Sequence, residues 1–268
     1  MSSIATWDGV TEAAKKLTRD TNGDGTPDVW GIGMGLAQER FSATAAPLAA
    51  FEGSGGLFDA SCKPRLATPS GEKAVMLQAD WIGRDKVTPR EALAMTSDDA
   101  IDQFAAGKYA MQIVANSRFE QIQRNASGWS KDDLGMAPVP GWTKDKPGPH
   151  LVTGWFAVAW RKSPNLAAAI KFIDHMSSPA SMALWSSPGG QVPVLKSVAA
   201  RSEMQTPAAA PLREVAGYFG RSGAFTPGAC NWSRTLADFN LATQQVVLGQ
   251  LPVVEALKRA EKATADRQ

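Results

Sequence analysis

An α/β chain is predicted by two features of the 268-residue sequence. Segments with apolar residues at helical spacing alternate with short apolar runs of strand length. Clusters of Gly, Pro, Asn and Asp mark most of the changes from one to the other. No internal repeat is visible, and the length suits one large domain or two small ones.

Thr6 is placed to cap a helix whose Trp7, Val10, Ala14 and Leu17 share one face. A polar loop, Asp20 to Asp28, precedes a strand expected over Val29–Met34. A helix over Ala43–Phe51 is broken by Gly53-Ser-Gly-Gly56. Leu57–Arg65 reads as a hairpin segment, and Thr68-Pro-Ser-Gly-Glu72 opens a helix running to about Ile82. Ser97-Asp-Asp99 is expected to cap a helix over Ala100–Ala106 that Gly107 stops, and Tyr109–Val114 follows as a strand. Pro138 to Pro149 is rich in turn residues and is expected to cross the surface. Leu151–Trp160 is the second apolar strand, and Leu166–Met176 a helix with Leu166, Ile170 and Ile173 on one face. Two amphipathic helices, about Ser233–Leu248 and Pro252–Ala265, close the chain.

Composition excludes several functions. Lys plus Arg (28) nearly balances Asp plus Glu (26), and no basic stripe follows a phosphate backbone, so nucleic acid is not expected as a partner. No apolar run approaches the roughly 20 residues of a membrane span. Met1-Ser-Ser-Ile-Ala-Thr-Trp7 has neither a charged nor an apolar leader region, so no export signal is expected in it. Cys62 and Cys230 match no metal spacing. They leave two readings, with unpaired thiols preferred over a disulfide, which needs an oxidising compartment. Nine Trp against two Tyr suits stacking on a ligand as well as core packing.

The motifs of common enzyme classes are missing or incomplete. Gly31-x-Gly33-x-Gly35 falls short of a dinucleotide loop because Leu36 stands where its third glycine belongs. His150 and His175 belong to no HExxH pattern and read as surface residues, and no G-x-S-x-G turn occurs. A glycosidase carboxylate pair stays open, although no Asp or Glu stands out for acid–base work. Asp20, Asn22, Asp24, Gly25 and Asp28 occupy positions 1, 3, 5, 6 and 9 of a Ca²⁺ loop, whose closing Glu is replaced by Gly31. The alternative is a solvated turn whose Asn and Asp side chains bond their own backbone.

Several segments, in order along the chain, carry a family resemblance. They are Thr6-Trp-Asp8 with Asn22-Gly-Asp-Gly-Thr-Pro-Asp-Val-Trp-Gly31, Glu52-Gly-Ser-Gly-Gly-Leu-Phe58, Phe104-Ala-Ala-Gly-Lys-Tyr-Ala-Met111, Val152-Thr-Gly-Trp-Phe-Ala-Val158 and Gly189-Gly-Gln-Val-Pro193. Together they resemble the extracellular solute-binding proteins of sugar importers, the family of maltose-binding protein. The resemblance implies a type II periplasmic-binding fold of two lobes that capture a carbohydrate by hinge closure. It also implies ABC-transporter permease subunits as partners, a periplasmic or extracellular location, and no enzymatic activity. Family members are longer, so the N-terminal lobe is expected to be incomplete. Residues 1–150 and 206–268 would form the C-terminal lobe, and 151–205 the remnant of the other.

On this reading Thr153, Gly154 and Trp155 line the cleft, with Trp155 stacking on sugar C–H faces. Gln38, Glu39, Arg40 and Phe41 follow a strand end, and Asn116 and Arg118 follow another. Trp232 is a further candidate, while Gly190 and Pro193 shape the wall. Ala115-Asn-Ser117 stands where relatives present Gly-x-Trp, which leaves the particular sugar open, with a polyol or glycerol phosphate as the alternative ligand. The incomplete lobe predicts bare apolar faces on Val152–Trp160 and Leu166–Met176, and hence self-association or marginal stability, with at best weak ligand binding.

Overall fold

A computed structural model describes residues 4–37, 58–152, 154, 156–225 and 230–266. The helix expected over 43–51, its glycine breaker at 53–56, and Gln38 to Phe41 lie outside these residues, as do Thr153 and Trp155.

Helix α1 (Trp7–Leu17) begins as its sequence dictates, with Thr6 Oγ1 accepting from Gly9 N at 3.1 Å. Its apolar face meets α2 (Pro69–Gly83), which Thr68 caps in the same way. Trp7 and Trp81 cross at 6.2 Å, and Trp81 Nε1 donates to Thr11 Oγ1 at 2.8 Å. Trp7 packs equally on Trp142, and Ile32, Met34, Leu36, Val87 and Ala92 complete this core. These tryptophans are structural.

Helix α3 (Ser97–Ala105) starts three residues before the expected Ala100. Thr96 is the cap, and Asp99 returns its bond to the Thr96 N–H in a capping box. Gly107, at φ +76°, ends the turn that follows. The expected strands over 29–34 and 109–114 run side by side in parallel, bridged at Trp30–Tyr109 and Gly33–Gln112. They do not form a continuous two-strand ladder, because the intervening Ile32 N–H turns to Val87 O on the other side. The glycine run also has its explanation here. A Cβ on Gly31 would lie 2.1 Å from Ala14 O, and one on Gly33 would lie 2.3 Å from the Tyr109 ring. Close packing demands these glycines.

Helices α9 (Trp232–Val247) and α10 (Val253–Ala265) pack on each other and on α2 around Phe58, Leu66, Val75, Phe239 and Leu257. Buried Asp238 joins α9 to α10 by accepting from Thr264 Oγ1 at 2.8 Å while pairing with Arg234. Glu261 caps the Leu66 and Ala67 N–H groups. This packing brings the Cys62 and Cys230 Cα atoms to 5.0 Å, and the two form a disulfide. The preferred thiol reading is thereby corrected. A separation of 168 positions hid a proximity that only packing creates.

Helices α4 (Phe119–Asn125), α6 (Pro179–Gly189) and α8 (Ala210–Ser222) were not expected from the sequence. Helix α5 (Leu166–Met176) was, and α7 (Lys196–Ala199) is a single turn. The expected strand over 151–160 shrinks to β1 (His150–Val152), which pairs in parallel with β2 (Gly223–Phe225). Residues 154 and 156–160 are in no ladder, and Phe156 and Val158 are 88% and 85% exposed. Helix α5 buries no residue. Among the described residues, the two regions predicted to be bare expose large apolar side chains: Phe156, Val158 and Trp160 in one, and Ile170, Phe172 and Met176 in the other. A small cluster of Ala183, Val198, Met204, Ala209 and Leu212 ties α6 to α8.

Candidate functional site

The bridged segments 30–33 and 109–112 run in parallel, so the residues that follow them leave from one edge. Crevices for ligands form outside the carboxyl ends of such strands. Ala37, at the end of the first segment, is held by α9: Asn240 Nδ2 donates to Ala37 O at 3.0 Å, and Gln244 Nε2 to Leu36 O at 2.5 Å and Leu93 O at 3.0 Å. These two amides fix the point from which residues 38–41 depart. No local pattern marks them, since their acceptors lie more than 150 residues away.

At the end of the second segment, Asn116 Nδ2 donates to Gly190 O at 2.6 Å. Gly190 has φ +66°, and a Cβ there would come within 3.1 Å of Asn116 O. Two segments 74 residues apart thus meet closely, and the glycine permits both the approach and the left-handed turn that ends α6. Arg118 points its guanidinium at Asp98 Oδ1 and Gln121 Oε1, both at 2.8 Å, and stays half-exposed. Asp98 comes from the first turn of α3, so Arg118 is positioned by a second element.

The other candidates are placed differently. Trp232 opens α9 and packs against Phe58 at 6.4 Å, as part of a core cluster. Gly154 is exposed, with open space around it.

The Asp20 loop folds around its own backbone. Asp20 accepts from Gly23 N and Gly25 N, Asp24 from Thr26 N, and Asp28 from Thr21 N and Asn22 N. The Thr21 hydroxyl and then its N–H hold the Asp28 carboxyl below the usual carboxylate range. Among the described residues no group of three or more His, Cys, Asp and Glu is arranged to hold a metal ion.

The remaining displaced carboxylates, Asp59, Asp85, Asp99, Asp145 and Glu203, also move downward, in each case chiefly through a hydrogen bond. A general acid needs the opposite shift. His150, expected on the surface, is instead buried, between Val139 and Ser222.

No curated protein sequence matches the chain. Solved structures do. The maltose/maltodextrin-binding domain MalE from Bdellovibrio bacteriovorus, bound to maltotriose, matches with TM-score 0.78 at 22% identity, over 98% of this chain and 66% of that one. Maltose-bound T. maritima MalE3 matches with the same figures. An ABC-transporter solute-binding protein from Agrobacterium radiobacter K84, in complex with ribitol, matches with TM-score 0.75 at 17% identity, over 98% of this chain and 64% of that one. The fold is therefore that of the two-lobe periplasmic binding proteins, and the chain spans just under two thirds of the length of these structures. Residues 2–212 match the family described as bacterial extracellular solute-binding protein, and to that family the chain belongs.

Proposed function

We propose that this protein captures a carbohydrate or polyol for an ABC-type importer, and that it hands the solute to membrane permease subunits without chemical change. The observation that carries the reading is the match, over 98% of the chain, to structures solved with maltotriose, maltose and ribitol. The parallel-segment edge with Asn116, Arg118 and Gly190 supports the reading by the groups it offers. A planar guanidinium and an amide can pair with vicinal hydroxyls, and their settings are fixed before ligand arrives.

In this reading Arg40 and Phe41 continue from the anchored Ala37, and Thr153, Gly154 and Trp155 follow β1. Trp232 contributes least, because its ring already packs on Phe58. The lobe division, 1–150 with 206–268 against 151–205, belongs to the same proposal. The Cys62–Cys230 disulfide supports a location outside the cytoplasm. Among the described residues no helix is long and apolar enough to cross a membrane.

A thermal-shift screen of mono- and oligosaccharides and polyols, followed by calorimetry, tests the reading. We expect a sugar or polyol to raise the melting temperature. Trp155→Ala should abolish binding with cooperative unfolding retained, and Arg118→Ala should weaken it by about tenfold or more, the value of a charge-assisted hydrogen bond. Turnover of a glycoside, or silence across the panel, overturns it. The ribitol complex, and a relative from Agrobacterium vitis with bound D-mannitol, make polyols the second ligand class to screen.

A further inference from the structure

His150 occupies the point where the chain leaves the Trp7-centred core, and its ring joins two separately packed regions. On one side Val139 N donates to His150 Nε2 at 3.1 Å. Val139 packs against the Trp7 core, and two residues on, Gly141 O accepts from Trp7 N at 3.0 Å. On the other side His150 Nδ1 lies 2.7 Å from Ser222 Oγ, at the end of α8. Helix α8 carries Leu212 into the Ala183–Met204 cluster. The ring also stacks on Tyr218 at 5.1 Å and meets the edge of Phe219.

The bonds determine the protonation state. Because Nε2 accepts from a backbone N–H, it carries no proton, and the imidazole proton must sit on Nδ1 and point at Ser222 Oγ. Ser222 Oγ in turn donates to Tyr218 O at 3.3 Å, which leaves its lone pair for the histidine. Every polar group in the row is satisfied by a neutral ring only. A second proton would set Nε2–H against Val139 N–H, donor against donor. We propose that His150 is a pH-sensitive latch, which bridges the Trp7 core and α8 as the neutral Nδ1–H tautomer and releases Val139 when it is protonated.

The surroundings agree with this assignment. Burial first, and then the Arg221 cation, lower the His150 pKa from its ordinary 6.5. Arg221 lies over the Tyr218 ring, and the Tyr218 hydroxyl bonds Glu214, so the charged groups about the histidine both come from α8. Neither the 138–149 segment nor β2 adds a charge that acts on the ring. For a histidine with a depressed folded-state pKa, the unfolded chain binds the extra proton first. The latch therefore contributes fully above pH 6.5, and its contribution is lost as pH falls from there through the folded-state value.

The test compares melting temperature from pH 7.5 to 5.0 in the wild type and in His150→Gln. The wild type should melt higher at pH 7.5, and the gap should close toward pH 5.0. Parallel profiles overturn the proposal. Should the variant not fold, ¹⁵N-histidine NMR of the wild type decides, with His175→Gln assigning the second ring. An Nδ1–H tautomer at pH 7.5 with protonation displaced below 6.5 supports the latch, and an Nε2–H tautomer or ordinary titration refutes it. Neither readout depends on a ligand, so the latch and the proposed capture function stand or fall separately.

Discussion

Helices α9 and α5 both present an apolar stripe, yet α9 buries eight of its residues and α5 buries none. On α9 even polar groups are interior. Thr235 and Thr243 bond the carbonyls four residues back, Asp238 meets Thr264 and Arg234, and Asn240 reaches Ala37. Buried polar groups are tolerated because each has a partner. On α5 no residue of the stripe is buried, Ile170 being 47% exposed, and Phe172 beside it, Trp160, Trp185 and Val194 are exposed as well. An amphipathic stripe declares that a face needs cover, but whether cover is present depends on remote segments. In α9 it comes from α2 and α10. Around α5, the described residues leave Leu166 and Ile173 only half-buried and bury none of its side chains.

The contrast breaks if the two regions respond alike to mutation. The largest expected effect is for Trp81→Ala, which removes the Trp7 contact and the bond to Thr11, and should cost about 3–5 kcal/mol by denaturant unfolding. A cost near zero would mean that the Trp7 core is not the stable centre. Next comes Cys62→Ser, which opens a long covalent loop and should cost about 2–4 kcal/mol. Reducing agent should lower the wild-type melting temperature and leave the variant unchanged. Paired changes Phe172→Ser and Trp185→Ser should move stability by no more than about 0.5 kcal/mol. They should also reduce self-association in sedimentation, as expected for an exposed apolar patch. A large loss of stability there would show that α5 and α6 are covered in solution.

The smallest effect concerns the Asp20 loop. Its carboxylates already accept from their own backbone, so chelator should leave the melting temperature unchanged. A fall on adding chelator, erased in Asp24→Ala, would instead establish a Ca²⁺ site at Asp20, Asn22, Asp24 and Asp28.

Helix ends were the most legible features. Thr6 and Thr68 cap as their side chains imply, because a cap is decided within three residues. The helices over 166–176 and the two closing helices follow their apolar spacing for the same local reason. Helix α8 was hidden by Pro211 and by Gly217 and Gly220, which dilute its pattern, although Leu212, Val215 and Tyr218 do form a buried face. Of the candidate site, Asn116 and Gly190 were named separately, and packing brings them into contact. Asn240 and Gln244 escaped notice because an amide on a helix shows nothing of a carbonyl 200 residues away.

The sequence by itself determined the α/β class, helix caps and the family, since each rests on local spacing or on ordered short motifs. Tertiary structure alone decided that Cys62 meets Cys230, that His150 is interior, and that, among the described residues of the 151–160 run, only 151 and 152 pair. Each of these depends on which distant backbone offers a thiol, an N–H or a ladder partner. Local periodicity carries no record of that choice, because the partner is selected by the packing of helices far apart in the chain.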